Sequence, residues 1–356
     1  MSIDPNNASL EVATRRSLEL ETELQTHPER FRMVTGDRPT GPLHIGHLFG
    51  TLLNRVRMQE LGVDVLVLIA DYQTITDRDS PAQIRNDVLG LVADYIAVGI
   101  DPEQATIFVH SQVEELNQLM IPFMSLVSVA ELQRNPTVKE EFETSGGSSM
   151  NALMFSYPVH QAADILFCRA NVVPVGRDQL PHLELARLIA RRFNDRYSPG
   201  EPFFPEPTAL LSRAPLVLGL DGLKMSKSRN NSISLAMGDD ETARLVKGAK
   251  TDSERRITFD PVHRPEVSNL LLITSLCTGE APGNIADDIG EGGSGELKGR
   301  VVEALNERLR PIRVRRSELL NDPALLSTLL ARGNHRAREI GRQTLTEVRD
   351  LMHMTY

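Results

Sequence analysis

From Phe31 onward the chain alternates short apolar runs with stretches of helical period. Phe31-Arg32-Met33-Val34-Thr35 has strand length, and Val65-Leu66-Val67-Leu68-Ile69-Ala70 is apolar throughout. Thr106-Ile107-Phe108-Val109 and Asn171-Val172-Val173-Pro174-Val175 repeat the pattern. Continuous apolar runs bounded by turns mark parallel strands covered on both faces. Between them Ile84, Val88, Leu91, Val92 and Tyr95 recur at helical spacing, with Ser80-Pro81 as a start signal and Gly99 as a stop. A helix is predicted from near Gly46 to Leu61, and another contains Ala162 to Phe167. Strands alternating with helices predict an α/β fold, a Rossmann-like doubly wound parallel sheet.

Past Lys224 the strand pattern fades and helical periodicity takes over. Thr278–Gly283 and Gly290–Gly295 are predicted as loops on their glycine and proline content. Arg308, Arg310, Arg313, Arg315 and Arg316 crowd one stretch, and Pro311 within it predicts a kink. Residues 1–29 are polar and suit either an appended helix or a disordered arm. The chain therefore divides into a polar extension (1–29), a sheet domain (30–238) and an all-helical domain (239–356).

Composition narrows the classes. No run of 18 or more apolar residues occurs, which argues against a membrane span. The first residues lack a basic segment followed by an apolar one, so they do not read as a signal peptide. Cys168 and Cys277 stand far apart without a CxxC pair, which argues against a disulfide framework or structural zinc and suits a reducing cytoplasm. A net charge of −9 argues against a chain coated in nucleic acid, while leaving room for a local basic patch.

Two strings carry chemistry. Thr40-Gly41-Pro42-Leu43-His44-Ile45-Gly46-His47 lies where the first strand turns into a helix. A glycine-rich turn there lets phosphate approach backbone N–H groups and the positive end of the helix. The two histidines add donors for charge developing on that phosphate, and Gly46 leaves space for a purine or ribose. Lys224-Met225-Ser226-Lys227-Ser228 follows a glycine-bounded turn. Two ammonium groups and two hydroxyls on a movable loop suit a pyrophosphate leaving group, because lysine acts as a point charge that can swing in at the transition state. Either string alone could be a solvated turn or a basic loop; together they point to ATP.

In this order the strings resemble the HIGH and KMSKS signatures of class I aminoacyl-tRNA synthetases. Gly36–Gly41, Tyr157–Leu166, Val173–Gln179, His182–Arg187 and Thr251–Glu254 make the chain similar to the bacterial tryptophanyl-tRNA synthetase family, from about Met33 to the C-terminus. The resemblance implies formation of tryptophanyl-adenylate from L-tryptophan and ATP, followed by transfer to tRNA(Trp). It implies His44, His47, Lys224 and Lys227 as catalytic residues. Arg38, Pro39, Thr40, Gly46, His47, Gly176, Arg177, Asp178, Leu216 and Lys224, Met225, Ser226, Lys227, Ser228 would contact ATP. Asp164 would accept the indole N–H, with Tyr157, Gln161, Gln179, Gln73 and Gly36 around the amino acid. Indole offers one donor and no acceptor, so a buried carboxylate suits it; a helix-surface carboxylate is the plain alternative. Mg²⁺ would arrive on the ATP, with no protein metal site and no tightly bound cofactor. The partners implied are tRNA(Trp), tryptophan, ATP and a second copy of the chain.

Two positions depart from the common bacterial pattern. Gln161 stands where methionine is usual and Gln73 where histidine is common, so the pocket is expected to differ in its tolerance of indole analogues. The arginine-rich helices are expected either to face tRNA phosphates or to pair with Glu303, Glu307 and Glu318. A tyrosine-specific relative, a non-aminoacylating paralogue and a small-molecule nucleotidylyltransferase are the alternatives. Asp164 in its A-A-D-I-L context and the intact lysine string weigh against them.

Overall fold

The computed structural model describes residues 5–76, 83–135, 138–139, 151–176, 180–211, 216–225, 229 and 231–356, with side chains from Thr14 onward. Five strands form one parallel sheet: β1 (Arg32–Asp37), β2 (Asp64–Ile69), β3 (Thr106–Val109), β4 (Val172–Val175) and β5 (Thr208–Leu211). Their spatial order is β3-β2-β1-β4-β5. The order reverses between β1 and β4, and the carboxyl ends of strands at such a switch point form a ligand-binding crevice.

Alternate side chains feed two cores. Met33, Val65, Val67, Ile69, Ile107 and Val109 enter one, while Val34, Leu66, Leu68 and Phe108 enter the other. This period of two, with both faces apolar, is why the strands read as unbroken hydrophobic runs.

The polar N-terminal segment is a helix, α1 (Pro5–Thr26). Leu20 and Leu24 are buried in the first core, and Ser17 Oγ accepts the Leu211 N–H at 2.9 Å, covering the edge strand β5. After β1, α2 (Ile45–His47) passes through a π turn (Leu48–Leu52) into α3 (Leu53–Leu61). The helix predicted after Ser80-Pro81 is α4 (Ile84–Val98), ended by Gly99 at φ 124° as expected; Ser80 and Pro81 themselves lie outside the described residues. Next come α5 (Glu114–Met124), α6 (Val129–Gln133), α7 (Ala152–Leu166), α8 (Leu180–Tyr197) and α9 (Asp239–Lys247).

The remaining helices are α10 (Pro265–Thr278), α11 (Pro282–Ile289), α12 (Gly293–Leu320) and α13 (Pro323–Leu351). Two predicted loops shrink accordingly. Pro282 opens α11 at a first-turn position that needs no N–H, and Gly293 opens α12 directly after a short 3-10 turn. Helix α12 runs through Pro311. Leu297, Val301, Leu305, Leu309 and Ile312 of α12 are buried in the same core as β1–β3. Helix α13 covers edge strand β3, where Asn334 Oδ1 accepts the Val109 N–H at 2.8 Å. No helix among the described residues is long and apolar enough to cross a membrane. Cys168 and Cys277 are both free, with burial pushing each thiol up to about 12.

Candidate active site

The turn after β1 is capped by its own histidines. Gly46 N–H donates to His44 Nδ1 at 3.1 Å, and His44 N–H donates to His47 Nδ1 at 3.2 Å. Each Nδ1 is thereby an acceptor, so each neutral ring carries its proton on Nε2 and remains a donor there. The rings lie 3.8 Å apart, with His44 buried and His47 half-buried.

Beneath this turn sits a buried polar network. Arg55 Nη1 donates to Asp37 Oδ2 at 2.6 Å, and Tyr95 Oη donates to the same oxygen at 2.8 Å. Burial would raise the Asp37 pKa, but Arg55, His47 and Tyr95 outweigh it and hold it below the usual range. Tyr95 is pushed well above its ordinary value by burial and by Asp37, so it stays a neutral donor. On the other flank, the Leu43 N–H donates to Asp94 Oδ2 at 3.0 Å, and Asp94 Oδ1 takes the Arg316 guanidinium. Asp94 is fully buried, so a side chain of α12 reaches the histidine turn through one carboxylate.

The second string packs on the first. The Ile45 N–H donates to the Ile233 carbonyl at 3.0 Å, the Leu235 N–H donates to the Leu43 carbonyl at 2.8 Å, and His44 bridges Ser234. A Cβ at Gly46 would lie 3.0 Å from the His44 ring and 3.2 Å from Met225 Sδ. The space left by Gly46 is therefore bounded by the His44 ring and Met225. The base of the lysine loop is held by two asparagines. Asn231 Nδ2 donates to Asp221 Oδ1 at 2.8 Å and to the Lys224 carbonyl at 3.2 Å. Asn269 Oδ1 on α10 accepts the Leu218 N–H at 2.8 Å, while its Nδ2 donates to the Leu218 carbonyl at 3.1 Å. Downstream, Asp252 of the Thr251–Glu254 block takes Arg264 through both oxygens at 2.7 Å.

A second cluster occupies the carboxyl end of β3. His110 Nε2 lies 3.0 Å from Asp164 Oδ1 of α7, an ion-pair contact off the ideal hydrogen-bond line. His160 stacks on His110 with centroids 4.1 Å apart, and its Nε2 is 2.8 Å from Asn117 Oδ1. Tyr72 meets His110 edge-on at 5.6 Å. Burial alone would depress the His110 pKa; Asp164, helped by Asp71, outweighs it and holds it above the usual value. Burial also depresses His160, and Asp164 does not offset burial and the neighbouring His110 there. The two stacked imidazoles are thus shifted in opposite directions. His110, His160 and Asp164 offer ligand atoms within 4.8 Å of one another, a grouping the sequence did not suggest.

The called residues fall as follows. His44, Gly46, His47, Lys224 and Met225 share one neighbourhood through the contacts above. Gly36 is exposed at the end of β1, where a Cβ would lie 2.5 Å from the Leu68 carbonyl oxygen; close strand packing by itself accounts for glycine there. Pro39 is buried, Thr40 half-buried and Arg38 exposed on the same turn. Gly176 is exposed at the end of β4, Leu216 is 71% exposed and Lys224 is exposed. Asp164 is buried; Gln161, Gln73 and Tyr157 are half-buried, with Tyr157 Oη 3.4 Å from His182 Nε2. Arg177, Asp178, Gln179, Ser226, Lys227 and Ser228 lie outside the described residues. His110 was missed because a lone histidine after a strand carries no motif; only the fold brings it to Asp164.

Two of the expected tRNA-facing arginines are internal struts. Arg313 pairs with Asp239 and donates to Thr242 Oγ1 at 2.8 Å, and Arg316 pairs with Asp94. Their acidic partners lie on α9 and α4, not at Glu303, Glu307 or Glu318. Arg308, Arg310 and Arg315 are exposed.

The model for class I tRNA synthetases (W and Y) matches residues 26–310. The tryptophan–tRNA ligase of Streptococcus pneumoniae is 41% identical over 341 residues, covering 91% of this chain and 98% of its own. That of Clostridium longisporum is 40% identical over 333 residues, covering 91% and 97%. The Campylobacter jejuni tryptophanyl-tRNA synthetase, solved with ADP and tryptophan, superposes with a TM-score of 0.79 at 30% identity, covering 90% of this chain and 99% of its own.

Proposed function

The chain belongs to the class I tRNA synthetases for tryptophan and tyrosine, and we infer from its site that it activates L-tryptophan with ATP and transfers it to tRNA. The observation that carries this reading is the packing of Met225 from the lysine string against Gly46 of the histidine turn, at the switch point of the sheet. ATP, as its Mg²⁺ complex, would lie along Arg38, Pro39, Thr40, Gly46 and His47, with Gly176, Arg177, Asp178 and Leu216 at the adenosine end. In-line attack by the tryptophan carboxylate on the α-phosphate expels pyrophosphate. The work required is positioning and charge stabilisation, with no protein nucleophile. His44 and His47 supply Nε2–H donors, and Lys224 and Lys227 supply positive charge that follows the departing pyrophosphate. Met225, Ser226 and Ser228 complete that loop.

Asp164 takes the indole N–H, while Tyr157, Gln161, Gln179, Gln73 and Gly36 surround the amino acid. The relative solved with ADP and tryptophan is consistent with the two ligands sharing one crevice. The helices of 239–356 would carry the tRNA anticodon surface on the exposed arginines Arg308, Arg310 and Arg315. A homodimer in the cytoplasm is the expected working form.

The test is amino-acid-dependent ATP–pyrophosphate exchange with tryptophan and tyrosine in parallel. Exchange with tryptophan alone, lost in the Lys224→Ala, Lys227→Ala double variant, supports the reading. Exchange with tyrosine alone, or none with either, overturns it.

A further inference from the structure

The amino-acid side of the crevice contains one group with no place in the reading above. His110 is completely buried, belongs to none of the signature strings, and faces the carboxylate on which the specificity for indole would depend. We propose that His110 is a positioning residue for Asp164: its ring N–H engages Oδ1 and leaves the other oxygen to accept the ligand's single ring donor. The proposal rests on Asp164 being the indole acceptor and adds what makes that acceptor selective.

Four observations converge on it. Nε2 of His110 lies 3.0 Å from Asp164 Oδ1, and among the described residues neither of these buried atoms has a better-aligned partner. The strand that delivers His110 is tied down from outside by Asn334 at Val109, and the residue after it is tied by Asp71 Oδ1, which accepts the Ser111 N–H at 2.9 Å. The ring is therefore held at both neighbouring positions. His160 stacks on it, and the contact of His160 Nε2 with Asn117 Oδ1 spends that ring's donor away from Asp164. Tyr72 closes a further side edge-on. Among the described residues His110 thus brings a ring nitrogen to within 3.0 Å of the carboxylate, and its ring is packed on two sides.

The chemical consequence is selectivity for a ring N–H. A buried carboxylate with both oxygens unpaired would turn to whatever donor it found, including water or the substrate ammonium. With one oxygen occupied, the pocket presents a single acceptor. A substrate isostere without the N–H then leaves that acceptor unpaired, which is the costly outcome for a buried polar group.

The experiment compares kcat/KM in ATP–pyrophosphate exchange for tryptophan and for β-(3-benzothienyl)alanine, which replaces the ring N–H with sulfur. The wild-type chain should favour tryptophan by on the order of 10³-fold or more, within the range such sites reach. His110→Phe keeps an aromatic stack but removes the donor. It should cut the ratio by roughly tenfold or more, mostly through the KM for tryptophan, because a ground-state contact is lost. His110→Gln restores a donor and should keep the ratio within about threefold of wild type. His110→Met is the second donor-free variant, should Phe compromise folding, and should behave like Phe. Because the chain contains no tryptophan residue, fluorescence of bound tryptophan gives affinity independently of turnover. Losses that are equal for both amino acids in the donor-free variants, or a ratio that His110→Gln fails to restore, overturn the proposal. Asp164→Ala separates it from its premise. If that variant leaves the ratio standing, the indole assignment fails and the proposal with it. If Asp164→Ala collapses the ratio while His110→Phe and His110→Met do not, the assignment stands and His110 is packing alone.

Discussion

The two halves of the crevice are built in opposite ways. The side proposed for ATP is made of contiguous strings that fold onto themselves: His44 and His47 cap their own turn, and Met225 packs against Gly46. The side proposed for the amino acid is assembled from the end of β3, α5, α7 and the segment after β2, whose residues lie far apart in sequence. Its charge is also arranged differently. Lys224 of the lysine string is exposed, whereas the imidazole–carboxylate pair is buried. On the proposed reading, one half follows charge as it moves and the other holds a single acceptor still. Mobility suits transition-state stabilisation, and rigidity suits discrimination.

Several changes would break or sharpen this contrast. The largest effect is expected for Lys224→Ala with Lys227→Ala. Tryptophan-dependent exchange should fall by ~10²–10³-fold or more, the scale of losing preorganised charge stabilisation, while tryptophan binding by fluorescence persists. Equal loss of binding would mean that the two halves are not separable.

Next is Asp94→Ala. It removes the acceptor of the Leu43 N–H and strands a partly buried Arg316, so denaturant unfolding should show a loss of about 3–5 kcal/mol, the usual cost of breaking a buried pair. A loss below about 1 kcal/mol would show that the pair is surface-like.

Gly46→Ala comes third. Its Cβ would press on the His44 ring at 3.0 Å and Met225 at 3.2 Å, so the two strings must part. Displacement of that kind can cost up to about 10²-fold in rate, here read as kcat/KM for ATP with the KM for tryptophan unchanged.

The pH dependence separates the halves again. The folded-state pKa of His110 is raised, so its pairing with Asp164 stabilises fully below the ordinary histidine value and is lost as pH rises through the folded one. Thermal melts on the alkaline side should therefore lose stability in wild type and less in His110→Gln. At the other extreme Glu131, held near 2 chiefly by its hydrogen bond from Arg192, contributes above its ordinary value of 4.5. That contribution fades as pH falls toward 2, and Glu131→Gln should flatten only the acid limb of the same melts.

The smallest effect belongs to Arg315→Ala. The side chain is exposed, so stability and exchange should hold, while tRNA affinity falls and its salt slope drops by about one if a phosphate contact is lost. Arg316→Ala should instead disturb both half-reactions, because its partner Asp94 also holds the histidine turn.

Much of this was legible in the chain. The strands β1 to β4 announce themselves because a parallel strand buried on both faces must be apolar at consecutive positions. Strand β5 did not, since Thr208-Ala209-Leu210-Leu211 is short and lies between polar segments. The polar helix α1 hid its role because, among its described side chains, only Ser17, Leu20, Glu21 and Leu24 are buried. The arginines of α12 looked alike in sequence, yet two of them point inward to Asp239 and Asp94.

The sequence by itself determined the α/β alternation, the helical C-terminal third and, through two short strings, the family and its class of reaction. Those signals are local: periodicity and short motifs depend on residues within a few turns of one another. The tertiary structure alone decided that Met225 seats on Gly46, that Arg316 reaches the histidine turn through Asp94, and that His110 meets Asp164. Each of these joins groups from separate elements, and what such a pair contributes depends on burial and distance, which no stretch of sequence specifies.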